Sequence, residues 1–158
     1  MLLPKIAFTY SKKNTVIAQR FVDLFHQLNL NIFTSQDLDK SATKLIDKLS
    51  ILYHSNTYII LISKSLGREE EAYLELMKQK YFNEPNIRIV PIIIDNSVTN
   101  VSIPNDIQLL YLEKGKYQEC AQTAKKMLSK KLISLEMKFN LPLLYPMLIN
   151  DIKMLGIK

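Results

Sequence analysis

Short apolar runs alternate with longer amphipathic stretches along most of this chain. The run at 57–63, TYIILIS, is unbroken and rich in β-branched residues, which is typical of a central strand covered on both faces. Apolar runs that alternate with amphipathic stretches indicate βα units, and such units build a parallel sheet with helices on both faces. We therefore predict an α/β protein with three layers.

The pattern predicts five strands and four main helices. The strands are expected at 5–10, 30–34, 57–63, 87–94 and 107–112. The helices are expected at 15–28, 41–54, 68–82 and 117–132, with a polar loop at 35–40. Asn14 or Thr15 is predicted to cap the first helix, and Ser41 the second. The predicted inward stripes of these two helices are Val16, Ile17, Phe21, Leu24, Phe25 and Leu28, and Leu45, Ile46, Leu49 and Leu52.

The length of 158 residues suits one domain with its own core and is too short for two domains and a linker. Apolar residues make up 47% and charged residues 23%, a balance typical of a folded globular chain and not of a disordered one. We predict a domain over 1–132. Residues 133–158 are apolar but interrupted by Pro142 and Pro146, and we predict a helical extension there that packs on the domain or on a partner.

The net positive charge of the chain lies entirely in its carboxy-terminal part. In residues 1–113, 12 Lys or Arg balance 12 Asp or Glu, whereas residues 114–158 hold nine lysines and three acids. The basic segment contains no arginine, so it lacks the arginine and aromatic residues typical of nucleic-acid binding. We expect no nucleic-acid partner. The lysines are expected to be solvated helix surface, with an acidic partner or a second domain as the alternatives.

Composition excludes several common kinds of site. Three glycines, none adjacent, cannot form the glycine-rich phosphate loops of P-loop or dinucleotide folds. Two histidines and one cysteine are too few for a site built on those ligands, so we expect no metal. The single Cys120 requires no oxidising compartment, and no apolar run approaches the roughly 18 residues of a spanning helix. We therefore expect a cytoplasmic protein with no membrane contact.

Several segments resemble Toll/interleukin-1 receptor (TIR) domains of the bacterial type. The opening KIAFTYSKKN is similar to the family's first strand and loop. The stretch LNLNIFTSQDLDKSATKLIDKLSILYHSNTYIILISKS resembles its second strand, BB loop, second helix and central strand. LGREEEAYLELMKQK is similar to the helix that carries a Trp-Cys-x-x-Glu-Leu pattern in many members. The resemblance covers about residues 4–130 and implies a flavodoxin-like three-layer fold with a central, mostly parallel five-stranded sheet.

The resemblance also implies a function. Glu75, followed by Leu76, falls on the glutamate with which enzymatic TIR domains cleave NAD. It implies an NAD glycohydrolase or ADP-ribosyl cyclase that needs no cofactor besides its substrate NAD, is active when copies associate through TIR–TIR contacts, and serves antiphage defence. The sequence departs from the family at Glu71, which replaces a tryptophan, and at Lys40-Ser41, which replaces a frequent glycine. The missing tryptophan favours the alternative of a non-catalytic adaptor that assembles with partners through 34–41 and the basic carboxy-terminal helices.

The carboxyl ends of parallel strands are where an open α/β sheet binds its ligand. The loops after the first three predicted strands converge there, which makes Tyr10 and Phe33 candidates for stacking on a ligand ring and Lys12 a candidate for contact with the pyrophosphate. The alternatives are core aromatic residues and a solvated lysine. The candidate binding residues are Tyr10, Ser11, Lys12, Phe33, Asp37 and Ser63.

Glu75 lies two turns into the predicted helix 68–82, on a polar face with Glu71 and Gln79. A carboxylate beside the ribose would stabilise the oxocarbenium-like transition state as neutral nicotinamide leaves. The alternative is that Glu75 is a surface acid. We assign Glu69, Glu70 and Glu71 to the helix amino terminus, where negative charge is favourable, and not to catalysis.

Overall fold

The computed structural model describes residues 6–95 and 103–129. The architecture below is that of one compact unit, which contains the described residues up to 83 and from 87 to 128. Its strands are β1 (Ile6–Thr9), β2 (Ile32–Thr34), β3 (Thr57–Ile62), β4 (Arg88–Ile93) and β5 (Leu110–Tyr111). Its helices are α1 (Thr15–Gln27), α2 (Ser35–Ser41), α3 (Leu45–Tyr53), α4 (Arg68–Asn83) and α5 (Tyr117–Ser129), with a 3₁₀ turn at Lys12–Asn14.

The five strands form one sheet in the order β2-β1-β3-β4-β5, and every neighbouring pair is parallel. Ile6 aligns with Ile32 on one side and with Thr57 on the other, and Thr57 in turn aligns with Arg88. The predicted α/β class, with a parallel five-stranded sheet in a flavodoxin-like arrangement, is therefore confirmed.

Two apolar clusters cover the two faces of the sheet. Alternate residues of β3 point to opposite faces, so Ile59 and Leu61 join one cluster while Tyr58 and Ile60 join the other. The first cluster takes its helical residues from α1 and α5, and the second from α2, α3 and α4. In the first, the Phe8 and Phe25 rings meet edge to face with centroids 5.4 Å apart, a geometry that favours aromatic pairs.

Helix α1 ends at a left-handed residue. Asn29 has φ 64°, which asparagine tolerates better than most residues. Its amide donates to the His26 carbonyl and the Leu30 amide donates to the Phe25 carbonyl, the two bonds of a Schellman motif. The turn directs the chain into β2, which pairs with β1.

The segment predicted as the loop 35–40 is helix α2, so that prediction was wrong. The Thr34 hydroxyl accepts a hydrogen bond from the Asp37 amide at 3.2 Å, and the Asp37 carboxylate accepts one from the Thr34 amide at 2.9 Å. This capping box satisfies two amides at the helix start and stabilises a helix of only seven residues.

The predicted start and rotation of the next helix were also partly wrong. Ser41 ends α2 and does not cap α3, which begins after Lys44 with no side-chain cap. Ile46 was placed inward but is 68% exposed, whereas Lys48 is buried at 6%. In α1, Val16 is likewise exposed, and Asn14 occupies the cap position without a side-chain hydrogen bond to the helix start.

Some predictions concern residues outside the described part of the chain. These are the extension 133–158 and the domain boundary at 132. Within 6–95 and 103–129, no helix has the length and apolar character to cross a membrane.

Candidate functional site

A crevice lies at the carboxyl edge of the sheet, at the point where the strand order reverses. From β1 the chain passes to β2 on one side, and β3 lies on the other side of β1. Open α/β sheets bind ligands at such a switch point. The crevice has a volume of about 330 Å³, within the range of small-molecule sites. Its lining residues are Tyr10, Lys12, Thr15, Ser35, Gln36, Asp39, Glu69, Glu70 and Tyr73.

Helix α2 forms one wall of the crevice and is tied directly to β1. The Tyr10 amide, one residue past the end of β1, donates a buried hydrogen bond to the Ser35 hydroxyl at 2.9 Å. Leu38, on the same helix, is 1% exposed and packs in the cluster with Tyr73. These contacts hold Ser35, Gln36 and Asp39 along the crevice.

A buried lysine connects two carboxylates of the crevice. The Lys48 ammonium lies 2.8 Å from the Asp39 carboxylate and 3.2 Å from that of Glu69. Lys48 belongs to α3, Asp39 to α2 and Glu69 to α4, so the cluster joins three helices. The hydrogen bond to Asp39 raises the pKa of Lys48 above its usual value against the opposing effect of burial, and Glu69 adds to it.

Two tyrosines of the crevice stay neutral at ordinary pH. Burial raises the pKa of Tyr73, and the nearby carboxylate of Glu69 adds to the effect. Burial likewise raises the pKa of Tyr10. Both phenols therefore keep their proton. The Tyr73 hydroxyl lies 3.5 Å from the Glu69 carboxylate.

Glu70 also faces the crevice but has a local structural partner. Its carboxylate accepts a hydrogen bond from the Gly67 amide at 2.8 Å, just ahead of α4. Glu70 thus satisfies an amide next to the helix start, which agrees with the predicted role of the acids 69–71 at the helix amino terminus. The charged residues that line the crevice are thus three carboxylates, Asp39, Glu69 and Glu70, and one lysine, Lys12.

Glu75 does not line this crevice. It lies on the outer face of α4, its side chain is 58% exposed, and its carboxylate pairs with the Lys78 ammonium at 3.2 Å. It borders a separate, larger depression of about 710 Å³, formed by the later part of α4 and residues 103–106. The three residues of the predicted polar face, Glu71, Glu75 and Gln79, are all exposed. The catalytic role of Glu75 stays a prediction.

The structure brings together only two of the six candidate binding residues, Tyr10 and Lys12. Ser11 is buried and accepts a hydrogen bond from the Lys13 amide at 3.2 Å, which caps the 3₁₀ turn. Ser63 donates to the Asn14 side chain at 2.8 Å and so ties the loop after β3 to the loop after β1. Phe33 packs against the second apolar cluster, which agrees with the alternative prediction that it is a core aromatic residue.

Asp37 belongs to the capping box of α2. Its carboxylate accepts from both the amide and the hydroxyl of Thr34, at 2.9 and 3.1 Å. Both bonds go to one oxygen, Oδ2, and hold the carboxylate at the helix start, and the crevice acid on α2 is Asp39, two residues further on.

The sequence pattern did not identify Asp39, Lys48, Glu69 and Tyr73 as site residues. One signal was present for Lys48, which stands three residues after Leu45 and four before Leu52, on their side of a helix. A lysine at such a position needs a paired charge. No comparable signal identified which of the acids 69–71 is that partner.

At the end of β1 stand Thr9 and Tyr10, and no acidic side chain. Among residues 6–95 and 103–129, no group of three or more His, Cys, Asp or Glu side chains is arranged to hold a metal ion.

Comparison with known proteins supports the fold and extends no further. No family model matches the chain, and no curated protein matches it. A flavodoxin-like domain from Synechococcus has a TM-score of 0.50 at 8% identity over 79% of this chain and 96% of its own. A diflavin flavoprotein from Nostoc has 0.51 at 9% over 82% and 94%. A CheY-like receiver domain from Methanospirillum hungatei has 0.50 at 13% over 80% and 95%. At such identities these likenesses establish a flavodoxin-like α/β fold and no activity.

Proposed function

We propose that this chain is a TIR-type enzyme that cleaves the nicotinamide–ribose bond of NAD in the crevice at the carboxyl edge of the sheet. The products are nicotinamide and linear or cyclic ADP-ribose. The observation that carries the proposal is the crevice itself, in which carboxylates held by a buried lysine lie beside Lys12 at the switch point. The resemblance to TIR domains supplies the reaction.

The charges of the crevice suit the reacting half of NAD. The nicotinamide ring is cationic while it is bonded to the ribose, and it would be attracted to Asp39, Glu69 and Glu70. The pyrophosphate is anionic and would be met by Lys12, for which a flexible ammonium serves as a point charge. The neutral Tyr10 and Tyr73 add hydroxyl donors and aromatic surface at the same place.

The reaction places one main demand on the protein. As the bond from the anomeric carbon to the ring nitrogen breaks, positive charge moves from the ring to the ribose, and nicotinamide leaves neutral. A fixed carboxylate beside the ribose stabilises that charge and orients the hydroxyls. Water, or a nitrogen of the adenine ring in a cyclase, then bonds to the anomeric carbon, and water gives up a proton to a nearby carboxylate.

Geometry favours Glu69 as this carboxylate. Glu69 lines the crevice, and both of its oxygens lie 3.2 Å from the Lys48 ammonium, which restrains its rotamer. Its side chain is still 37% exposed, so it can accept further hydrogen bonds. The resemblance instead assigns Glu75, and the two assignments make opposite predictions.

Nicotinamide release from NAD tests the proposal. The purified chain is assayed at low and high protein concentration, because activity is proposed to depend on association of copies in the cytoplasm, in antiphage defence. Glu69→Gln is expected to lower kcat by about 10²-fold, whereas Glu75→Gln, the same change on the same helix, is expected to leave it within about threefold of wild type. Urea denaturation of each variant verifies the fold.

The opposite pattern, loss in Glu75→Gln alone, would return the catalytic role to Glu75 and move the site to the depression beside 103–106. If both variants keep full activity, neither acid is the catalytic group. Absence of NAD turnover by the wild type at every protein concentration would refute the proposal that the chain is an enzyme.

The second candidate is a TIR-type adaptor that assembles with itself or with a partner protein. The observation in its favour is the exposed position of Glu75, away from the crevice. Lys40, exposed near the end of α2, is the appropriate residue to reverse in charge. Asp37 is unsuitable because its reversal would break the capping box. An adaptor shows no turnover in any state, and its association weakens in Lys40→Glu.

A further inference from the structure

Lys48 occupies a position that an apolar residue would fill more simply. It is 6% exposed, on the inner side of α3 with Leu52, and its ammonium pairs with carboxylates from two other helices. Replacing a buried ion pair by apolar residues of similar volume is often neutral or stabilising, so a buried pair is weak evidence of a stabilising role. What the lysine does that an apolar side chain cannot do is hold two acids at one place.

Lys48 holds together two acids that come from different helices and meet at the crevice. Asp39 comes from α2 and Glu69 from α4, and both line the crevice, whereas Lys48 does not. Their side chains are 34% and 37% exposed, so each presents oxygen to the crevice while bound to the lysine. Without the ammonium between them, two carboxylates this close would repel each other and adopt other rotamers.

We propose that Lys48 is a positioning residue that fixes the carboxylates of Asp39 and Glu69 against the ribose of the bound substrate. This inference rests on the proposed function and deepens it. Lys48 touches no substrate atom and acts through the two acids. An arginine at this position keeps the charge and can contact both acids, whereas a methionine of similar volume cannot.

The first experiment measures nicotinamide release by Lys48→Met, Lys48→Arg and Lys44→Met. Lys44 is an exposed lysine one turn earlier, next to the same helix, and its substitution is the matched control. Lys48→Met is expected to lower kcat by about 10²-fold with a smaller change in KM, because misplaced acids lose transition-state contacts first. Lys48→Arg is expected to recover most of the rate, and Lys44→Met to match the wild type. Rates are corrected for the folded fraction measured in urea.

The second experiment needs no substitution of Lys48 and no NAD. Acetic anhydride labelling followed by mass spectrometry compares the reactivity of Lys48 and Lys44 in the full chain. Lys48 is expected to react much more slowly than Lys44, and Asp39→Asn or Glu69→Gln is expected to speed the labelling of Lys48 alone.

The outcomes separate the two proposals. Wild-type activity in a folded Lys48→Met overturns the positioning role while the proposed function stands. Equal labelling of Lys48 and Lys44 overturns it as well, and does so even if Lys48→Met does not fold. A wild type that releases no nicotinamide at any concentration refutes the proposed function, and with it the role of Lys48 in that reaction.

Discussion

The hydrogen bond from the Tyr10 amide to the Ser35 hydroxyl allows a quantitative test of how the crevice is built. Ser35→Ala removes the acceptor and leaves the amide of a residue that is 4% exposed, past the end of β1, without that partner. An unsatisfied buried amide costs about 1–3 kcal/mol. Alanine recovers roughly 0.5 kcal/mol or less through its helix propensity at this first helical position. We expect a net loss of about 1–2 kcal/mol in the free energy of unfolding.

Ser41→Ala is the matched control on the same helix. Ser41 is exposed, and its hydroxyl donates to the Asp37 carbonyl at 2.8 Å, a local bond with little net effect on stability. The change in this variant is expected to stay within about 0.5 kcal/mol. Both variants are compared with wild type by urea denaturation followed by circular dichroism. The dependence of the unfolding free energy on urea concentration must have the same slope in all three proteins for the comparison to hold. In a thermal scan, Ser35→Ala should melt about 2–8 °C lower, since 1 kcal/mol corresponds to about 2–4 °C at this size. Equal stability of the two variants would refute the reasoning.

Three further predictions concern residues that support the site and the core. Tyr58→Phe removes a buried hydroxyl that lies 2.7 Å from both the Leu52 and the Ser55 carbonyls at the end of α3, and should cost about 1 kcal/mol in urea denaturation. Tyr111 is exposed, and Tyr111→Phe is the control, which should change the free energy of unfolding by less than about 0.5 kcal/mol. Equal losses in the two variants would contradict the stabilising role assigned to the Tyr58 hydroxyl. Burial raises the pKa of the Cys120 thiol to about 11, so a thiol reagent at pH 8 should label it slowly in the native protein and quickly in urea; fast native labelling would be inconsistent with the packing. The raised pKa of Lys48 means that its ion pairs contribute fully below the unfolded value of about 10.4 and are lost as pH rises through the folded value. The free energy of unfolding of the wild type minus that of Lys48→Met should therefore be constant from about pH 6 to 9 and decrease at higher pH. An increase of this difference above about pH 9 would contradict the sign.

The strands and long helices were predictable because their signals are local. β3 was expected at 57–63 and runs from Thr57 to Ile62, and α4 was expected at 68–82 and runs from Arg68 to Asn83. Unbroken apolar runs and helical periodicity lie within one element, and burial on both faces of the sheet accounts for them. Cys120 is a buried residue of the first cluster, together with Ala121 and Ala124.

Helix α2 was missed because its sequence, SQDLDKS, has no apolar periodicity. Leu38 is its one buried large apolar residue, and the rest of the evidence for a helix lies in the pair Thr34 and Asp37. An aspartate three residues after a threonine is a short variant of the capping-box pattern. Recognising it would have placed Asp37 in the helix start and turned attention to Asp39.

The candidate site depended on contacts between distant parts of the chain. Periodicity correctly placed Glu71, Glu75 and Gln79 on one exposed face of α4, but it could not say that the crevice lies beside a different face, at Glu69 and Tyr73. The rotation of α3, which buries Lys48 and exposes Ile46, depends on acids 9 residues before and 21 residues after that lysine in the sequence.

The pattern of apolar residues within each element was thus sufficient to predict the α/β class, the parallel sheet and most bounds of the strands and helices. This is because the apolar face of each strand or helix must pack against another element. Which acids meet at the carboxyl edge was decided by the packing of α2, α3 and α4 around one buried ammonium. A charge taken out of water must find its partners in space, and those partners lie on other helices.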